Sequence, residues 1–240
     1  MAVLERRCAA LPAPAGPAPL AVLFDMDGTL LDSEKVWDVS LDDLAEHLGG
    51  ALSRGAREAM VGSNVLTSLG LLFDDLGLAR DADELTVAGR WLTARTAALF
   101  DRGLPWRPGA SELIDDVLAA GVRTALVTNT ERVLTERALV TLGRHRFEVT
   151  VCGDEVVRGK PDPDPYLRAA ELLGLAPEQC LAVEDSPTGT AAAEAAGCPV
   201  LVVPCEVVVA AGPRRVQLPT LHGVGVAELV AAWRTVSVPA

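Results

Sequence analysis

Lysine is nearly absent: of 21 cationic residues in the 240-residue chain only Lys35 and Lys160 are lysines, against 33 Asp and Glu and a net charge of −12. So acidic a chain has no basic footprint for nucleic acid and no attraction for an anionic membrane surface, and an anionic ligand needs a local source of positive charge. Cysteine is sparse: Cys8, Cys152, Cys180, Cys198 and Cys205 form an odd, scattered set with no C-x-x-C pair. That argues against a disulfide framework or a thiolate zinc site and sets the expectation of a reducing cytoplasm. His47, His145 and His222 stand alone and read as surface or packing residues. No apolar run has the eighteen or so residues of a membrane span. The uncharged run 8–24 could pass for an export signal, but Pro12, Pro14, Pro17 and Pro19 deny it a helix. Residues 1–19 are therefore read as a mobile Ala/Pro-rich arm with no packing role. Neither an internal repeat nor a heptad is visible.

What is present is apolar: 50% of the residues are hydrophobic, ample for a core. Short apolar runs at 20–24, 123–127, 149–152, 180–183 and 199–203 lack polar alternation, as strands buried on both faces of a parallel sheet do. Helical stretches at 111–120, 132–142, 165–173 and 188–196 supply the crossovers. The fold class is α/β, a doubly wound parallel sheet. About ninety residues separate the first two strands, too many for one crossover. Within them Trp37, Leu41, Leu44 and Leu48 share a helix face, and apolar helical stretches recur at 65–76 and 85–100. An all-helical insertion at 33–103 follows, leaving 20–32 and 104–240 as the core. Trp37, Trp91, Phe73 and Phe100 are expected in the core of the insertion. Cys152 and Cys198 suit small buried positions.

Chemistry gathers at the strand ends. Asp25 and Asp27, in Phe24-Asp25-Met26-Asp27-Gly28-Thr29, close the first strand, where open α/β sheets form their ligand crevices. Two carboxylates so placed repel unless a cation sits between them, and an all-oxygen set suits Mg²⁺ shared with a substrate phosphate. The second strand ends in Thr128-Asn129-Thr130, at a junction where anions bind readily. Lys160 is conspicuous in a chain whose default cation is arginine; its compact ammonium suits point contact with a phosphoryl group. Glu184-Asp185 ends a further strand and adds a second acidic pair to the same rim.

The D-x-D-G-T opening, the strand-end Thr128, Lys160 before Pro-Asp-Pro, and Glu184-Asp185 together closely resemble the four motifs of the haloacid dehalogenase-like superfamily. Their order resembles the subfamily with a helical cap after the first motif, the group of β-phosphoglucomutase-like phosphatases. The resemblance spans about residues 20–205 and implies a Rossmann-like core with an inserted helical cap. It implies Asp25 as the nucleophile forming an aspartyl-phosphate, and Asp27 as acid and then base. Thr128 and Asn129 would hold phosphoryl oxygens, Lys160 would offset charge, and Asp25, Asp27 (through its carbonyl), Glu184 and Asp185 would hold Mg²⁺. An acid at Asp27 favours a phosphatase over a dehalogenase. Lys35, the only cap lysine, is read as a solvated helix residue and not an imine former. Mutase relatives carry a cap-loop arginine, which residues 61–65 lack; that loop offers Ser63 and Asn64 as substrate-binding candidates. The expected function is Mg²⁺-dependent hydrolysis of a small phosphorylated metabolite. The alternatives are a phosphomutase and, third, a silent binding protein. Oligomeric state is left open.

Overall fold

The structure, a computed structural model, describes residues 16–237. In chain order its elements are β1 (Ala21–Phe24), α1 (Glu34–His47), α2 (Arg54–Met60), α3 (Val65–Asp75), α4 (Ala82–Phe100), α5 (Ala110–Ala119), β2 (Arg123–Val127), α6 (Arg132–Leu142), β3 (Val149–Val151), α7 (Asp164–Leu173), β4 (Cys180–Glu184), α8 (Pro187–Ala196), β5 (Val200–Val202), β6 (Arg215–Gln217) and α9 (Val226–Ser237). The six strands form one parallel sheet in the order β3-β2-β1-β4-β5-β6.

β1 shows why the central strands read as unbroken apolar runs. Side chains alternate across a strand, and both faces are covered. Val22 and Phe24 join a cluster with Leu113, Ile114, Leu134, Leu139 and Leu229 from α5, α6 and α9. Ala21 and Leu23 join one with Tyr166, Ala169, Leu173, Ala192 and Ala193 from α7 and α8. Helices therefore lie on both sides of the sheet, the doubly wound arrangement expected. The expected strands shift by about a residue: Leu20, Cys152, Pro199 and Val203 fall outside, and Glu184 is drawn into β4.

α1–α4 form a layer of their own around Leu41, Leu44, Met60, Leu69, Leu72, Phe73 and Leu92. α4 starts at Ala82, earlier than its apolar pattern, because Asp81 caps it by accepting from the N–H groups of Asp83 and Glu84. Of the aromatics expected in the cap core, Phe73 is there. Trp91 is half-buried beside it and stacks on His47 with ring centroids 5.0 Å apart. Phe100 is not: it ends α4 near the return to the sheet and packs in the core cluster, with Trp37 meeting it edge-on. Cys152 and Cys198 are buried, as expected.

Residues 1–15 of the expected arm lie outside the described residues. The remainder is held against the core: Pro19 is buried and the Pro17 carbonyl accepts from Arg234 Nε of α9. The absence of a packing role thus fails for residues 17–19, which a backbone acceptor and a buried proline tie to the core. No helix among the described residues is long and apolar enough to cross a membrane.

Candidate active site

The strands deliver four polar loops to one edge of the sheet. Asp25 follows β1, Thr128–Thr130 follow β2, and Asp185–Ser186 follow Glu184, the last residue of β4. Lys160 arrives from the loop before α7 and its ammonium is buried among three acceptors: Asp25 Oδ1 at 2.6 Å, Glu184 Oε1 at 2.6 Å and the Val127 carbonyl at 2.8 Å. Burial opposes its charge, but the two carboxylates more than offset that and raise its pKa. Tyr166, the only tyrosine, donates to Glu184 Oε1 at 2.6 Å and sets its ring 5.1 Å from the ammonium.

The carboxylates are too many for one lysine. Burial pushes Asp25 up to about 8; Lys160 pulls the other way and Glu184 and Asp27 add to the rise. Asp185 is raised well above the carboxylate range by burial, by Asp25 and by Glu184. Asp185 Oδ1 accepts from Thr29 at 3.2 Å, whereas its Oδ2 is buried without a hydrogen-bond partner. Asp25, Glu184 and Asp185 each bring a carboxylate oxygen to within 4.8 Å of the other two. An all-oxygen donor set with an orphaned acceptor fits a hard divalent cation. The Asp27 side chain, expected to leave the metal to its backbone carbonyl, lies outside this cluster and is held by four donors. Glu184 is in it, but both its oxygens already accept, from Lys160 and Tyr166 on one and from the Asp185 N–H and Ser186 hydroxyl on the other.

Gly28 keeps this corner open. Its φ is +78°, and a Cβ there would lie 2.2 Å from Asp185 Oδ2. Gly28→Ala is expected to displace the Asp185 carboxylate and raise the Mg²⁺ concentration for half-maximal activity by about tenfold or more. Unchanged Mg²⁺ titrations of that variant would remove Asp185 Oδ2 from the metal set.

Asp27 turns towards hydroxyls instead. Its Oδ1 accepts from Ser33 Oγ at 2.6 Å and Trp37 Nε1 at 3.1 Å; its Oδ2 accepts from Thr130 Oγ1 at 2.7 Å and Thr128 Oγ1 at 3.3 Å. Four donors fix one orientation of the carboxylate. Sequence reasoning missed three of these partners. Thr130 stood in the cluster already singled out, Ser33 lies six residues past Asp27, and Trp37 was read as core alone.

The cap loop closes over this edge. Asn129 Nδ2 donates to the Gly62 carbonyl at 2.9 Å and the Lys160 carbonyl at 3.1 Å, while its Oδ1 accepts from the Lys160 N–H at 2.8 Å. The Asn129 side chain, expected on phosphoryl oxygens, lines the cavity and also braces cap loop, second strand and lysine loop. Ser63 does line the cavity. Asn64 does not: it caps α3 by accepting from the Thr67 N–H at 2.8 Å, which directs it to the helix. Lys35 lies at the surface, paired with Asp32, as its reading required.

Two charged residues of the cavity had no sequence signal. Glu34 and Arg57 line it together with Trp37, Leu41, Met60 and Ser68, and Arg57 Nη2 lies 2.6 Å from Glu34 Oε2. Burial pushes Glu34 up to about 7, against the pull of Arg57. The enclosed space is small, about 40 Å³, because the cap sits down on the core.

A family model described as haloacid dehalogenase-like hydrolase matches residues 19–197. Hexitol phosphatase A of Escherichia coli (strain K12) is 35% identical over 75% of this chain and 81% of its own length. The phosphorylated carbohydrates phosphatase of Thermotoga maritima is 32% identical over 74% and 81%. A crystal structure of a CbbY variant from Rhodobacter sphaeroides, in complex with xylulose-(1,5)bisphosphate, superposes with a TM-score of 0.78 at 27% identity, covering 88% of this chain and 99% of that one. With these matches on a family model over most of the chain and on relatives above 30% identity, the chain belongs to the haloacid dehalogenase-like hydrolases.

Proposed function

We propose that this chain, a phosphoric monoester hydrolase by its family and relatives, cleaves a small phosphorylated carbohydrate with Mg²⁺ through a phosphoryl group carried on Asp25. The observation that carries the reading is the Lys160 ammonium, 2.6 Å from Asp25 and from Glu184, beside an Asp185 oxygen without a partner. One carboxylate oxygen of Asp25 is anchored by that ammonium, leaving the other to attack phosphorus. Thr128 lines the cavity, and its hydroxyl would turn from Asp27 to donate to a phosphoryl oxygen. Asp27 gives its proton to the leaving oxygen as the ester bond breaks. In its ionised form, held by Ser33, Trp37 and Thr130, it takes the proton of the water that then attacks phosphorus and frees Asp25. Asp25 and Asp185, with the Asp27 carbonyl, would hold Mg²⁺, and Glu184 orients them from behind. The cation would supply positive charge against the phosphoryl oxygens.

The test is phosphate release from an aryl phosphate and a panel of sugar phosphates, with Mg²⁺ and with excess chelator, followed by phosphorus NMR of the products. Release that depends on Mg²⁺, with the free sugar as co-product, is expected. Activity that survives chelation would remove the metal, and transfer to a second hydroxyl of the sugar faster than release would make the chain a mutase.

A further inference from the structure

Tyr166, the only tyrosine of the chain, takes no part in the steps of phosphoryl transfer set out above. It stands in the first turn of α7 and is fully buried on the face of the sheet that α7 and α8 cover, among Val127, Ala169, Ala193 and Cys198. Its hydroxyl donates to Glu184 Oε1 at 2.6 Å, the same oxygen that accepts from Lys160 Nζ at 2.6 Å. A carboxylate oxygen offers about two lone-pair sites, so Oε1 is filled by one charged and one neutral donor. Burial and the Glu184 charge push the phenol well above its ordinary range, so the hydroxyl keeps its proton and donates. On the other side α8 leaves no slack, since a Cβ on Gly189 would lie 1.9 Å from that oxygen.

The lysine completes the geometry. An ammonium has three N–H donors, and these are spent on Asp25 Oδ1, Glu184 Oε1 and the Val127 carbonyl. Two carboxylates at equal distance thus compete for one buried charge, where low polarity makes each pull strong. The tyrosine hydroxyl meets part of the demand of Glu184, and what it meets is left to Asp25. Without it Oε1 would have the ammonium alone, and the ammonium would shift towards Glu184 and away from the carboxylate that reacts.

We propose that Tyr166 is a positioning residue for phosphoryl transfer: by holding the Glu184 oxygen that Lys160 shares, it keeps the ammonium on Asp25. This rests on the phosphatase reading above. Tyr166 does not line the cavity, so it acts through Glu184 and Lys160 and not on the substrate.

The experiment is Tyr166→Phe, which deletes one oxygen and keeps the ring that the ammonium faces at 5.1 Å, assayed with an aryl phosphate at saturating Mg²⁺. kcat should fall by about tenfold to a hundredfold, as loss of a hydrogen bond to a charged group implies, while KM changes by less than about twofold. An unchanged kcat, with or without a lower melting temperature, overturns the proposal, as does a rise in KM that accounts for the whole loss. A second measurement needs neither turnover nor that variant. In protein labelled with [ζ-¹³C]tyrosine the single tyrosine gives a single resonance, which reports the hydrogen bond of its own hydroxyl. In Asp25→Asn, at the same Mg²⁺ concentration, the ammonium is released towards Glu184 and takes a larger share of Oε1. The resonance should then move upfield as the tyrosine bond weakens; an unmoved or downfield resonance overturns the proposal. If the unmodified protein releases no phosphate, the phosphatase reading fails, and the resonance alone decides whether Tyr166 governs the ammonium. It decides likewise if Tyr166→Phe does not fold.

Discussion

Asp25→Asn is expected to lower phosphate release by a factor of about 10⁴ or more and leave the fold intact. An amide oxygen is too weak a nucleophile to take a phosphoryl group, and Glu184, the other carboxylate on Lys160, has both oxygens committed to hydrogen bonds. Stability should not suffer. Asp25 is a buried carboxylate pushed up to about 8, so its ionised form is a liability in the metal-free fold, and Lys160 keeps Glu184 and the Val127 carbonyl when the charge is removed. The sign follows from linkage. A group whose folded pKa lies above its unfolded value of 3.8 contributes stability below that value and loses it as pH rises through about 8. Without Mg²⁺, the melting temperature of the unmodified protein should therefore fall as pH rises through that range, whereas Asp25→Asn should fall less. Thermal melts at pH 6 to 9 and an aryl phosphate assay check both halves. More than a few per cent of residual turnover, with contaminating phosphatases excluded, would move the nucleophile elsewhere.

Lys160→Ala should cost both rate and stability. Loss of a fixed positive charge at the transferring group is worth about 3–4 kcal/mol of transition-state stabilisation, or a hundredfold to a thousandfold in kcat. The same change leaves the buried Asp25 and Glu184 carboxylates without their shared counter-ion, and breaking a buried pair from one side destabilises by about 3–5 kcal/mol. At roughly 2–4 °C per kcal/mol for a chain of this size, the melting temperature should drop by about 6–20 °C. Acid should recover part of it, because protonating either carboxylate removes the repulsion. Lys160→Arg should not restore activity, since a planar guanidinium cannot converge on Asp25, Glu184 and the Val127 carbonyl from one point. A loss of tenfold or less in Lys160→Ala, with an unchanged melting temperature, would place the ammonium outside the chemistry.

The sheet was legible because burial on both faces writes itself as contiguous apolar residues, and α6 matches its expected span, Arg132–Leu142, to the residue. β6 was not legible: Arg215-Val216-Gln217 lies at the sheet edge, partly exposed, and carries no apolar run. α2 escaped for a related reason, having seven residues, a glycine and only Met60 buried. The motif residues could be read because each sits at the end of a recognisable run. Arg57 could not, since it meets Glu34 across 23 positions and Asp38 across 19, and only the packing of α1 against α2 brings them together. The Asn129 brace was hidden likewise: amide and hydroxyl side chains at strand ends look alike in sequence, and what they bond is set by loops 31 and 67 residues away.

The position of β1 at the centre of the sheet has a consequence for how the protein is made. Asp25 emerges early from the ribosome, but the ammonium that anchors it lies 135 positions later, and Asp185, which meets Thr29, 156 positions from that residue. At about 5–20 residues per second, the nascent chain carries its nucleophile for roughly seven to twenty-seven seconds before Lys160 exists, and a few seconds more before Asp185 does. Through that interval β1 lacks its neighbour β4 and exposes an apolar strand edge, so translation speed between codons 25 and 185 governs how long the chain is open to aggregation.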